Sequence, residues 1–92
     1  MDNEEIIARL LFSLARKRKW GESHIAYENM FRSLKSESFG KKGLKNAKNI
    51  AEELFREGFV IKKPTSYGLQ ISLNPEKGKE IKELIKKLGF EL

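Results

Sequence analysis

Four stretches of this chain carry apolar residues at helical spacing, and between the third and the fourth the period shortens to two. In the first, Ile6, Ile7, Leu10, Leu11 and Leu14 lie on one stripe, which predicts a helix over residues 3–19. Asp2 is a suitable N-cap for it, and Glu5 completes a capping box. Trp20-Gly21-Glu22 then interrupts the pattern, Ser23 can cap again, and Tyr27, Met30, Phe31 and Leu34 predict a second helix over about residues 24–35. Residues 35–40 form the next turn, with Phe39 as an apolar anchor. The third stripe, Leu44, Ala47, Ile50, Ala51, Leu54 and Phe55, predicts a helix over 41–57 that Gly58 stops in the left-handed conformation. Phe59 to Lys63 is β-prone and Pro64 to Gly68 is dense in turn formers. Tyr67, Leu69, Ile71 and Leu73 then alternate with small or polar residues, so a hairpin spans 59–73 with one apolar face. Asn74-Pro75 opens a last helix whose stripe is Ile81, Leu84, Ile85 and Leu88; Gly89 ends it, and Phe90 is placed to pack back on its final turn.

Helix, glycine, strand, polar basic turn, strand is the order at the centre of this chain. The segments AEELFREGFVIKK and YGLQISLNP resemble the end of the recognition helix and the wing of the winged helix-turn-helix superfamily of DNA-binding domains. The resemblance covers roughly residues 6–90. It implies an α+β, mostly helical fold, a winged helix-turn-helix with a three-helix core, a β-hairpin wing and a C-terminal helix, as a single domain over 1–92. It further implies a recognition helix at about 41–57, a wing at about 59–73, and a short strand after Trp20 that pairs with the wing.

Charge sharpens this expectation. The net charge is +6, and the excess sits in two blocks. Residues 16–20 hold four bases and no acid, and residues 41–63 hold seven bases against three acids. The four bases Arg16 to Lys19 match the negative end of the first helix, although they are also suited to phosphate. The third helix runs the other way: Lys41, Lys42, Lys45 and Lys48 come first, and Glu52, Glu53 and Glu57 come after. That gradient opposes the helix dipole, at a cost of roughly 0.3–1 kcal/mol per exposed charge. Bases so placed point to an external polyanion, with a solvated lysine face as the plainer explanation. The candidate nucleic-acid contacts are Lys41, Lys42, Lys45, Asn46, Lys48 and Asn49 on the helix, where asparagine can read an adenine edge and lysine a guanine. On the wing they are Lys62, Lys63, Thr65, Ser66 and Tyr67. Gly43 departs from a strong helix start and leaves the first turn less fixed.

Other classes find little in the sequence. His24 is the only histidine, and a pair with Glu28 would be two ligands without a third. No phosphate-binding glycine loop, nucleophile elbow or paired-carboxylate motif is present, so no catalytic residue, metal, cofactor or small-molecule substrate is expected. The chain contains no Cys and no apolar run near the ~20 residues that span a bilayer. Its start, Asp2-Asn3-Glu4-Glu5, is unlike a signal peptide, which leads to a cytoplasmic expectation. Double-stranded DNA is the expected partner, in the role of a transcriptional regulator or nucleoid-associated factor, with homodimerisation through the terminal helices. The alternative is a winged-helix module that binds protein and no nucleic acid.

Overall fold

Asp2 begins the first helix as its spacing requires, its Oδ1 accepting the Glu5 N–H at 2.8 Å. The computed structural model describes residues 2–34 and 40–91, with the side chains of Ser33 and Lys41 excepted. In chain order the elements are α1 (Asn3–Arg16), β1 (Ile25–Ala26), a 3₁₀ helix (Tyr27–Leu34), α2 (Gly40–Arg56), β2 (Val60–Thr65), β3 (Gly68–Leu73), a 3₁₀ turn (Pro75–Lys77) and α3 (Gly78–Lys87). This is an α+β fold in which helix predominates. Among the described residues no helix is long and apolar enough to cross a membrane. The turn expected at 35–40, with its Phe39 anchor, lies outside the described residues up to Gly40.

Each of the three α-helices closes with the same paired hydrogen bonds. At the end of α2, Gly58 (φ +80°) donates to Phe55 O and Phe59 donates to Leu54 O. At the end of α3, Gly89 (φ +86°) donates to Lys86 O and Phe90 to Ile85 O. These are the two bonds of a Schellman closure, for which glycine is the favoured left-handed residue. In α1 the same position is Arg18, at φ +58°, with Arg18 donating to Ala15 O and Lys19 to Leu14 O. The first helix therefore stops at Arg16 rather than Lys19.

That early stop redirects the chain onto the sheet. Leu73 N–H donates to Lys19 O at 2.7 Å, and Gly21 N–H donates to Leu73 O at 2.9 Å. Trp20 thereby makes a parallel bridge with Leu73. The expected short strand exists, but it comes later, at Ile25–Ala26, antiparallel to Ile71 and Gln70. Its formation removes residues 24–26 from the helix expected over 24–35. The remainder, Tyr27–Leu34, winds as 3₁₀ rather than α. At three residues per turn, Tyr27 and Met30 fall on one line and Phe31 and Leu34 on a neighbouring one, so the apolar spacing serves either winding.

The sheet has the order β1–β3–β2, all antiparallel, with β2 at one edge. Val60 pairs with Leu73 and Thr65 with Gly68, leaving Ser66 and Tyr67 as the turn. Neither turn residue has positive φ, while Gly68 does at +114°, which excludes the primed hairpin turns and makes Gly68 carry the reversal. Asn74 caps the next segment as expected, accepting the Glu76 N–H at 3.0 Å, although its first turn is 3₁₀ and α3 starts only at Gly78.

One cluster of buried side chains joins these elements. Ile6, Leu10, Leu11 and Leu14 of α1 meet Met30, Phe31 and Leu34, then Ala47, Ile50, Ala51 and Leu54 of α2, with Val60, Ile71 and Leu73 from the sheet and Ile81 and Ile85 from α3. Large apolar side chains such as these each contribute about 1.5–3 kcal/mol when fully buried. The core thus holds α2 by one stripe and leaves its opposite face outward.

Candidate nucleic-acid interface

The outward face of α2 is set by the position of its buried stripe. With Ala47, Ile50, Ala51 and Leu54 inside, Lys42, Lys45, Asn49, Glu52, Glu53 and Arg56 are exposed. Lys42, Lys45 and Asn49 thus sit side by side on the first half of the helix, as the spacing predicts. Glu53 and Arg56 form an exposed ion pair at 3.9 Å on the second half. Lys41 lies in the first turn, and its side chain is outside the described residues.

Two of the predicted contacts are placed differently. Asn46 is half-buried on the flank toward α1, where its Nδ2 donates to Asn3 Oδ1 at 3.1 Å. Lys48 is half-buried on the other flank, the side of Phe55. Helical geometry explains both: at ~100° per residue they fall at the two borders of the buried stripe, about 160° apart. Leu44 departs in the opposite sense. The sequence assigns it to the core stripe, yet it is 38% exposed.

The hairpin brings its bases to two faces. Lys62 shares a face with Val60, and its Nζ sits 5.0 Å from the centroid of the Phe55 ring, a cation–π contact that holds this base against α2. Lys63 points the other way and pairs with Glu22 at 3.7 Å. At the tip, Thr65 is committed to the turn: its Oγ1 donates to Gly68 O at 2.7 Å and accepts from Tyr67 N–H at 3.1 Å. Ser66 is exposed, and Tyr67 is 95% exposed rather than continuing the apolar face of β3. That face begins at the half-buried Leu69 and is fully buried at Ile71 and Leu73.

Glu22 and Phe55 are not legible as site residues in the sequence. Spacing assigns Phe55 to packing, and nothing local connects Glu22 to Lys63. Tyr27 is a further neighbour of Phe55, with ring centroids 6.0 Å apart. Burial pushes the Tyr27 phenol above its usual value, and the carboxylates of Glu52 and Glu28 push it the same way. His24 precedes β1 while Glu28 lies in the 3₁₀ helix, so the two do not share a helical turn. Among the described residues no group of three His, Asp or Glu side chains is gathered that could hold a metal.

Comparisons with known proteins find no matching family model, no matching curated protein and no matching solved structure. The surface itself offers two exposed ammonium groups and an amide on one helix face, a third base held beside that helix, and a hairpin tip with an exposed hydroxyl and phenol. Such a set can neutralise phosphates and present hydrogen-bonding groups to base edges.

Proposed function

We propose that this chain is a winged helix-turn-helix DNA-binding protein, acting as a transcriptional regulator or nucleoid-associated factor, with α2 as recognition helix and the β2–β3 hairpin as wing. The observation that carries the reading is the outward row Lys42, Lys45 and Asn49 on a helix otherwise fixed by its buried stripe, with Lys62 anchored beside it on Phe55. The bases precede the acids along α2, so the first half would enter the groove and the half with Glu52 and Glu53 would rise away from it. The element order, including a strand before the second helical segment that pairs with the hairpin, supports the same reading. The contact set is Lys41, Lys42, Lys45, Asn49, Lys62, Lys63, Ser66 and Tyr67. Lys48, at the border of the row, belongs to the set as well, while Asn46 and Thr65, whose polar groups bond within the fold, act as supports for helix and turn.

A homodimer belongs to this proposal, since a domain of this size reads few base pairs alone. Ile7, Leu84 and Leu88 line a shallow groove of about 150 Å³ between α1 and α3 that a second copy would cover. The protein-binding alternative is favoured by one observation, the exposure of Leu44 beside Lys45, since a nucleic-acid face has little use for a bare leucine.

Titration on duplex DNA at several salt concentrations tests the reading. Counterion release from four to six phosphate contacts gives a log–log salt slope of about −4 to −5 per chain, and Lys45→Ala lowers it by about one. No duplex or RNA binding at ~50 mM salt, where electrostatic binding is strong, would exclude nucleic acid and leave the protein-binding reading. Sedimentation with and without a palindromic duplex tests the dimer; monomer mass in both states rejects it.

A further inference from the structure

One strongly basic region plays no part in that surface. Along α1, Arg9, Phe12 and Arg16 lie on a single face at helical spacing, and Lys17 comes next at the helix end. Arg32 from the 3₁₀ helix and Phe90 from beyond α3 close a cleft of about 600 Å³ over that face. None of Lys42, Lys45, Asn49 or Lys62 lines it.

The cleft has an aromatic wall and a cationic rim. The Phe12 and Phe90 rings are 5.2 Å apart between centroids and tilted by 35°, and the Arg9 guanidinium carbon lies 5.7 Å from the centre of Phe90. Arg9 Nη2 reaches Glu5 Oε1 at 3.3 Å, while its Nε is buried and meets no acceptor among the described residues. Among the described residues no carboxylate lies within ion-pair distance of Arg16, Lys17 or Arg32. Four cations therefore line one concavity, and among the described residues Glu5 is the acid paired with one of them. Water and the C-terminal end of α1 accommodate Arg16 and Lys17, yet like charges converging on one concavity attract an anion, and the volume is in the range of small-ligand sites, roughly 300–1,000 Å³.

The charge count narrows the chemistry. A single carboxylate would offset one of the charges of Arg16, Lys17 and Arg32, whereas one phosphate group carries about −1.5 to −2. Guanidinium groups match phosphate oxygens in pairs, and phenylalanine faces stack planar heteroaromatic rings. We propose that this cleft binds a free nucleotide, with its base against Phe12 and Phe90 and its phosphates among Arg16, Lys17 and Arg32. The site is separate from the α2 face, so it stands or falls independently of DNA binding.

Calorimetric titration of the full chain with ADP, adenosine and inorganic pyrophosphate at ~50 mM salt, where charge contacts are least screened, tests this. ADP is expected to bind, with adenosine and pyrophosphate each at least about tenfold weaker, because each keeps only one half of the contacts. Arg32→Gln, an exposed position, should weaken ADP by about tenfold or more while leaving thermal unfolding and duplex affinity in place. Amide shifts induced by ADP should centre on Phe12, Arg32 and Phe90. Absence of ADP binding at millimolar concentration overturns the proposal, as does pyrophosphate binding as tightly as ADP, which would make the cleft a plain counter-ion cluster. Equal loss of duplex and ADP affinity in Arg32→Gln also overturns it, by assigning the cleft to a nucleic-acid surface.

Discussion

The side-chain amide of Asn46 donates to Asn3 Oδ1 at 3.1 Å and so ties α2 to the first residue of α1. Two asparagines on the same helix thereby have different work. Asn46→Ala should lower stability by about 0.5–1 kcal/mol, the net worth of an ordinary hydrogen bond, and leave duplex sequence preference alone. Asn49→Ala should do the reverse, flattening preference by roughly 1–3 kcal/mol with unfolding unchanged. Urea unfolding paired with a panel of duplexes checks both; a changed preference in Asn46→Ala returns that residue to the contact set.

Arg18 occupies the left-handed position that glycine holds at the other two helix ends. A side chain there costs roughly 1–2 kcal/mol, so Arg18→Gly should raise stability by about 1 kcal/mol after the loss of chain stiffness is counted. Thermal melts read this directly. A lower melting temperature would mean that the guanidinium holds the fold in some other way.

Ser72 is fully buried, and its Oγ donates to Gly21 O at 2.8 Å. Ser72→Ala removes the bond to that half-buried carbonyl and should cost about 0.5–1.5 kcal/mol. Hydrogen exchange should quicken at the Gly21 and Leu73 amides, which join the same two segments, before it quickens elsewhere. Uniform change across the chain would argue against a local role.

Tyr27 makes stability depend on alkaline pH. Its phenol titrates near 10.0 when unperturbed and higher in the fold, first because burial disfavours the phenolate and then because of Glu52 and Glu28. As pH rises past 10.0 the unfolded chain loses this proton first. The stability linked to the neutral phenol is thus complete below pH 10.0 and is lost as pH climbs through the folded value. Tyr27→Phe lacks this dependence, so the urea midpoint of the wild-type chain should fall relative to that of Tyr27→Phe as pH rises above 10.0. Parallel curves would refute the linkage.

Glu22 competes for Lys63 with any phosphate. Removing its charge by Glu22→Gln should tighten duplex binding at low salt by no more than the worth of an exposed ion pair, roughly 0.2–1 kcal/mol. The same substitution at high salt should change nothing. Unaltered affinity at low salt would remove Lys63 from the contact set.

The sequence carried the features that are decided locally. The buried stripes of α1, α2 and α3 apart from Leu44 and Leu88, which are 38% and 37% exposed, the left-handed stops at Gly58 and Gly89, the Asn74 cap and the hairpin are set by period and residue type. Features it did not carry depend on distant partners. Ile25 and Ala26 leave the helical pattern because Ile71 and Gln70 offer them a ladder. Tyr27 to Leu34 winds as 3₁₀ because its apolar spacing fits two periods. Arg18 reverses the chain against its own preference because Lys19 and Gly21 bond to Leu73. For the candidate site, the helical period identified the outward row of α2 but not its borders, and a border asparagine found its partner 43 positions away in the chain.

The outer edge of β2 has a consequence for how copies of this chain behave in company. A strand with one free side offers its backbone to any other strand, and Val60 and Ile61 begin a β-prone run with Ile61 39% exposed. Lys62 and Lys63 place adjacent charges along that side, and Pro64 removes a donor from it. Two such edges brought together would repel before they could zip. Replacing the three by valine would leave an uncharged run from Val60 to Thr65 and invite fibrous growth, whatever the hairpin touches in the folded protein.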